Sequence, residues 1–517
     1  MAATRWIVAA VVLCASIVHA VAQTPKLGGV VHTVIQPEPP GLMVAMLQNG
    51  PTLMVAGNIF EGLLRYNARL EPQPGLAESW QVSNDGRIYT FKLVQNARWH
   101  DGVPFTAADV LFTADLLKQT HPRARVNLAM VGSVSAPDDH TVVFTLKEPF
   151  GPFLGIFEVG SFPIMPQHIY AALDMRSRFA NYPIVGTGPF MLKEWRRGSY
   201  IRLVRNPNYH VHGRPYLDEI YWHVLPDAAT RSIEFETGRI DILPGGSVET
   251  FDARRLAQLK GVCTTTAGWD FFAPLAWLWL NNRQGPTSKK PFRQAVMYAL
   301  NREFSRDFVW SGFGRVAVGP IASSTRFFDA SVNRYSFDPS KAKALLAEAG
   351  YRGERVRLLP LPYSETWLRW AEAVHQNLRD VGINVEMIAT DAPGYNQKVA
   401  DWDFDIAFAY LYQYGDPALG VSRSYLSSNI AKGSQSNNVA GYVNPDVDRL
   451  FAEAAVATPD KRRHALYKQV ANILVEDVPV AWMLELEFPT ISRCHVKDLV
   501  TTAIGLNDGF RDAWFDR

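Results

Sequence analysis

The sequence predicts an α/β protein of more than one domain, and three observations carry that prediction. At 517 residues the chain exceeds what one hydrophobic core usually holds. Its first half is dominated by period-two alternation, whereas its second half alternates short apolar runs with helical periodicity. After the N-terminal segment no low-complexity linker or second apolar run divides the halves. The lobes are therefore expected to be woven together rather than strung in series.

In chain order, the first segment is a leader. Arg5 precedes a mostly apolar run from Trp6 to Val18, and Ala20-Val21-Ala22 supplies small residues where a signal peptidase reads. The run is short of the roughly 20 residues that span a bilayer, so cleavage after Ala22 is expected. Cys14 follows Leu13 rather than a small residue, which argues against a lipid anchor. Strands follow at Tyr89, Phe91 and Leu93, at Val142, Phe144 and Leu146, and at Ile201 and Leu203, each set alternating with other residues. Between the first two, Thr106 caps a helix from Ala107 to about Lys118, with Asp109 in its first turn.

In the second half, Asp338-Pro339 opens a helix that turns Ala342, Leu345, Leu346 and Ala349 inward and closes at Gly350. A strand from Val356 to Leu361 precedes a helix carrying Trp367, Ala371, Val374, Leu378 and Val381 on one face, which Gly382 ends. Ile383, Val385 and Met387 then alternate. Strand, helix and strand with short joints make a βαβ unit, hence a parallel pair with a right-handed crossover. Two more helices are expected from Asn444-Pro445 to about Ala457 and from Pro459 to about Val475.

Composition narrows the function. The apolar fraction is 47% and the charged fraction 20%, ordinary for a folded globular chain. The net charge of +2 comes with scattered rather than clustered Lys and Arg, so nucleic acid is not an expected partner. Beyond the leader there are two cysteines, Cys263 and Cys494, which form either one disulfide or two separate buried thiols. Neither has a CxxC partner or a metal-ligand neighbour, and no metal site or cofactor motif is found.

Enzyme signatures are poor. Gly186-Thr187-Gly188 begins like a dinucleotide loop, but Met191 stands where the third glycine belongs. Ser340 and Lys343 match S-x-x-K only as members of the first turn of a capped helix. His100-Asp101 has no second histidine at ligand spacing.

A set of ordered segments says more. Gly75-Leu-Ala-Glu-Ser-Trp80 leads to Asn84-Asp85-Gly86 and then to Ala97-Arg98-Trp99-His100-Asp101-Gly102-Val103-Pro104-Phe105-Thr106. Val185-Gly186-Thr187-Gly188-Pro189-Phe190, Arg205-Asn206-Pro207-Asn208-Tyr209, Gly238-Arg239-Ile240-Asp241 and Phe292-Arg293-Gln294-Ala295 follow. Glu348-Ala349-Gly350-Tyr351, Gly382-Ile383-Asn384-Val385 and Tyr442-Val443-Asn444-Pro445 complete the order. This series resembles the family 5 extracellular solute-binding proteins, the dipeptide- and oligopeptide-binding proteins of ABC importers, over essentially the whole mature chain. The signature residues read as architectural: Gly102 is free to take φ > 0 between a strand and a capped helix.

The resemblance implies a two-lobed periplasmic-binding-protein fold, class II-like, with an additional inserted domain and a cleft between lobes. Mapped here, lobe I is 23–57, 171–268 and 492–517, the inserted domain is 58–170, and lobe II is 269–491. Crossing strands near Trp269 to Asn282 and Glu485 to Ser492 form the hinge. Cys263 and Cys494 fall just outside these crossings, which favours the disulfide. Implied partners are a small solute (peptide, opine, sugar or chelate) and a membrane permease, with the protein a periplasmic monomer.

Cleft ligands in this design are held at the hinge and on facing loops. The candidates are Trp269 and Asp270 at the first crossing, and Tyr410, Gln413, Tyr414 and Asp416 after a strand from Phe404 to Tyr410. Gln36 and Glu38, after the first strand of the mature chain, join them. Peptide-binding relatives carry an aspartate four residues before a proline that matches Pro417, and it pairs with the ligand ammonium; Gln413 takes its place here. An amide gives up the charge-assisted part of that bond, so the expected ligand is not an ordinary free dipeptide, and Gln413 is expected to bond a neutral polar group. The alternative function is a secreted hydrolase of peptides or glycosides, resting on the loose carboxylates Asp270 and Asp416.

Overall fold

The computed structural model describes residues 24–175 and 182–516, so the leader, with Cys14 and the cleavage site after Ala22, lies outside the described residues. No helix among the described residues is long and apolar enough to cross a membrane.

Two large sheets organise the chain. The first has seven strands, in the order Val262–Thr265, Thr490–Arg493, Ile242–Leu243, Val30–Ile35, Glu219–Val224, Tyr200–Arg205 and Phe190–Arg196. Val30–Ile35 pairs in parallel with Glu219–Val224. Alternation sends Val31 and Ile35 with Ile220 and Trp222 into one core, while Val34 enters a smaller cluster with Phe235 and Leu243 on the other face.

The second sheet has six strands, in the order Arg315–Val316, Val480–Glu485, Leu275–Leu280, Ile406–Leu411, Val356–Leu359 and Val385–Met387. Leu275–Leu280 is buried at every position, as a strand covered on both faces must be. Val356–Leu359, the helix Glu365–Asp380 and Val385–Met387 form the expected βαβ unit with a parallel pair. Trp367, Ala371, Val374 and Leu378 form the helix's buried stripe.

A four-stranded antiparallel sheet, Ala77–Val82, Ile88–Leu93, Thr141–Leu146 and Val131–Asp138, shares the core of the seven-stranded sheet. Its helix Ala107–Thr120 begins with the Thr106–Asp109 capping box. Asp109 also accepts from the Trp99 indole at 3.2 Å, which fixes the strand-to-helix joint. His100 is architectural too. Its Nδ1 accepts from the Gly186 amide at 3.2 Å and its Nε2 bonds the Gly188 carbonyl at 3.0 Å. Gly186 is required by close approach, because a Cβ there would lie 1.8 Å from the Ile59 oxygen. Gly102 has φ +91°, the left-handed turn expected of it.

The chain passes from the seven-stranded to the six-stranded sheet between Thr265 and Leu275 and returns between Glu485 and Thr490. The two cysteines are bonded, with Cα atoms 4.9 Å apart, and tie the strands Val262–Thr265 and Thr490–Arg493 together beside both crossings. Of the two readings left open by the sequence, the disulfide is the one found.

Candidate functional site

The strand Ile406–Leu411 leaves the six-stranded sheet and continues into the segment 412–424. Alternate residues of an extended chain share a side, and here they form a ladder of rings. Tyr410 and Tyr412 have ring centroids 5.9 Å apart, and Tyr412 and Tyr414 lie 6.1 Å apart. Trp367 backs the ladder by stacking on Tyr410 at 5.5 Å. Tyr414 (φ +53°) and Gly415 (φ +71°) are both left-handed and turn the chain at the ladder's end. A tyrosine there costs on the order of 1 kcal/mol, held only because its surroundings fix it.

The rings line a cleft of about 1350 Å³. One wall is the ladder with Tyr395 and Leu426; the facing wall includes Arg123, Asn127, Met130 and Phe150 from the four-stranded-sheet region. Tyr412 and Tyr414 pack against the core to which Met130 and Phe150 belong, so the segment reaches across the cleft.

Arg123 sits on the helix Pro122–Asn127, whose N-cap is the His121 side chain, Nδ1 accepting from the Ala124 amide at 2.9 Å. Its Nη2 donates to Glu158 at 3.1 Å, and its guanidinium lies 4.0 Å from the Tyr414 ring centroid. Arg423 approaches the same ring at 5.5 Å and donates to the carbonyls of Gly420 and Tyr412, each at 3.2 Å. Burial, and then the charge of Arg123, lowers the Arg423 pKa from its ordinary value. Burial also raises Glu158 despite the nearby Arg123 and pushes Tyr410 up to about 12.

The sequence-predicted residues separate into two groups. Tyr410 and Tyr414 line the cleft. Gln413, of opposite parity, does not: its Oε1 accepts from the Ala322 amide and its Nε2 donates to the Pro320 carbonyl, each at 2.9 Å. Both ends of that amide are therefore bonded to the chain, away from the cleft, whereas the sequence predicts a bond to a neutral polar group of the ligand. Asp416 caps the turn at Pro417 and forms a bidentate, buried ion pair with Arg463 at 2.8 and 3.0 Å. Trp269 donates to the Phe488 carbonyl at 3.1 Å across the two crossings and packs on that ring. Asp270 stands beside it, half-buried, its pKa raised by burial. Neither lines the large cleft. Gln36 is exposed, and Glu38 accepts from the Trp195 indole at 2.7 Å and the Gly198 amide at 3.0 Å, both away from the cleft.

Tyr412, Arg123 and Arg423 are among the cleft residues that escaped the sequence reading. Tyr412 was legible, since it shares the parity of Tyr410 and Tyr414. Arg123 and Arg423 carried no pattern, because they reach the ring from separate segments.

Two sheet-based lobes joined by a double crossing, with an aromatic cleft facing an inserted sheet, define a two-lobed solute-binding protein. Comparison with known proteins agrees. A model of the bacterial extracellular solute-binding proteins, family 5 Middle, matches residues 71–433, and the chain belongs to that family. It is 28% identical over 429 residues to the probable D,D-dipeptide-binding periplasmic protein DdpA of Escherichia coli, covering 82% of this chain and 81% of that one. It is also 28% identical to the glutathione-binding protein GsiB of Pectobacterium atrosepticum over 82% of each. The fold matches the periplasmic binding protein DppA of Helicobacter pylori, solved with the peptide STSA, with a TM-score of 0.82 at 24% identity, over 95% of this chain and 99% of that one. The chain is thus a solute-binding component of an ABC-type importer.

Proposed function

We propose that this protein captures a small polar solute, a peptide or a related molecule, on the tyrosine ladder 410–414 and hands it to a membrane permease. The observation that carries the reading is the cleft of about 1350 Å³, faced on one side by three tyrosines and on the other by the 123–150 segment. Tyrosine offers large rigid surface at low entropic cost, which suits a site that must hold and release. The relatives' names, D,D-dipeptide-binding and glutathione-binding, support a short peptide-like molecule. A hydrolase is disfavoured, because neither Asp270 nor Asp416 lines the cleft and Asp416 is consumed by Arg463.

In this reading the segments 23–57, 171–268 and 492–517 form lobe I, 58–170 the inserted domain and 269–491 lobe II. They hinge where Trp269 and Asp270 sit. Ligand that touches both walls favours the closed state by its differential affinity. Export with cleavage after Ala22 places a monomer in the periplasm, and N-terminal sequencing of secreted protein should begin at Gln23.

Native mass spectrometry of purified protein should reveal a co-purified solute, and Tyr412→Ala should weaken its binding by about two- to twelvefold, from the ~0.5–1.5 kcal/mol of an aromatic contact. Unchanged affinity in Tyr412→Ala, with the variant folded, would refute the ladder as the binding platform.

A further inference from the structure

The charges that line the cleft are Arg123, Arg125, Arg423 and Asp448. The one carboxylate, Asp448, accepts from the Ser427 amide at 2.8 Å, so three guanidinium groups face a single carboxylate. The cations are less well satisfied. Among the described residues Arg423 has no ion pair within 4.0 Å; it donates to two backbone carbonyls and bonds the Tyr414 side chain. Arg123 is paired with Glu158, yet its Nε is buried without a hydrogen-bond partner. The two guanidinium groups approach one ring, Tyr414, and the charge of Arg123 bears on Arg423. Like charges gathered in a half-buried cleft are unfavourable until an anion joins them.

Against these three arginines Asp448 is the one acidic side chain on the cleft lining. Gln413 and Asp416, which stand where an ammonium partner is expected, are turned to Pro320, Ala322 and Arg463. Glu158 is fully buried behind Arg123 and accepts from the Ser161 hydroxyl and the Gly160 amide as well.

We propose that the cleft selects an anionic solute, its carboxylate or other oxyanion held between Arg123 and Arg423 beside the Tyr414 ring. The inference rests on the cleft reading above and adds the charge of the ligand. Guanidinium is suited to the task, because its planar fork binds an oxyanion through two parallel hydrogen bonds. Arg123 and Arg423 come from different parts of the chain, the four-stranded-sheet region and the segment 412–424, so the anion also ties the two together.

The test uses one skeleton with four charge states: Ala-Phe, N-acetyl-Ala-Phe, Ala-Phe amide and N-acetyl-Ala-Phe amide. The phosphonate analogue of N-acetyl-Ala-Phe distinguishes a carboxylate from a tetrahedral oxyanion. Calorimetry on the mature protein, stripped of co-purified solute, should show an anionic probe binding at least tenfold more tightly than the zwitterion, the amide or the neutral form. Arg423→Gln should abolish that preference and Arg423→Lys should keep part of it, with thermal midpoints checking that both variants fold. Independently of any variant, raising salt from 0.05 to 0.5 M should weaken the anionic probes and leave the neutral probe unchanged. The inference is overturned if the zwitterion or the neutral probe equals the anions, if salt acts on all probes alike, or if neither anion binds at millimolar concentration. Charge-blind binding that is lost in Tyr412→Ala would remove this inference and leave the cleft reading standing. Binding indifferent to Tyr412 would remove the cleft reading itself.

Discussion

His121 makes the stability of the cleft wall sensitive to acid. The imidazole is 1% exposed, its Nδ1 accepts from the Ala124 amide, and its Nε2 bonds the Gly160 carbonyl at 3.0 Å. Burial, and next the charge of Arg123, lowers its pKa to about 3. A histidine whose folded pKa lies below its unfolded value contributes stability that is full above about pH 6.5 and is lost as pH falls toward the folded value. Each unit below 6.5 costs about 1.4 kcal/mol, so at pH 5 the loss is about 2 kcal/mol. Glu158, which also faces Arg123, has a raised pKa and acts in the opposite sense, becoming less costly as it protonates. His121→Asn keeps an N-cap acceptor but cannot titrate. Urea denaturation of both proteins between pH 5.0 and 7.5 isolates the histidine, because Glu158 is common to both. The wild type should lose stability relative to the variant by about 2 kcal/mol over that range. Parallel profiles would refute the assignment of a neutral, capping His121.

Two further outcomes follow from named contacts. The disulfide closes a separation of 231 residues, and Cys263→Ser should lower the thermal midpoint through a loss of up to about 5.5 kcal/mol in the chain-entropy account; a wild-type midpoint indifferent to dithiothreitol would contradict this. Gln413→Asp replaces a donor aimed at the Pro320 carbonyl by a carboxylate, which should cost about 1–3 kcal/mol in denaturation experiments and bring no affinity for dipeptides; a tenfold gain in dipeptide affinity would show that residue 413 does face the ligand.

Much of the architecture was legible because it is written in local periodicity. The helix capped by Thr106, the βαβ unit from Val356 to Met387 and the helices after Asn444-Pro445 and Pro459 all form where spacing and capping residues place them. The cysteine pairing was not decidable from local pattern, because two strands 231 residues apart meet only through the double crossing. The site was half legible. Strand parity groups Tyr410, Tyr412 and Tyr414, and applying it would have admitted Tyr412, although Ala409 and Leu411 of the other parity line the cleft as well. It fails one step later, where left-handed Tyr414 and Gly415 reset the direction of the chain and send Asp416 to Arg463. Arg123 comes from a helix almost three hundred residues earlier, a juxtaposition no window of sequence contains.

The residues that the sequence marked and the cleft does not use have a common role. Gln413 pins the segment to Pro320 and Ala322, and its amide nitrogen donates to the Phe272 carbonyl beside the first crossing. Asp416 and Arg463 clamp the turn from behind, with Arg463 also donating to the Ala454 carbonyl at 3.0 Å. Gly420 is forced by the same packing, since a Cβ there would lie 2.4 Å from the Gln413 backbone. Gln413 and Asp416 sit one and two residues from Tyr414, and Gly420 three residues before Arg423. A ring held in a left-handed conformation, as Tyr414 is, persists only where its surroundings over-determine it. The segment 412–424 is therefore fixed from several sides, and in the proposed reading these buried supports aim the rings and guanidinium groups that meet the solute.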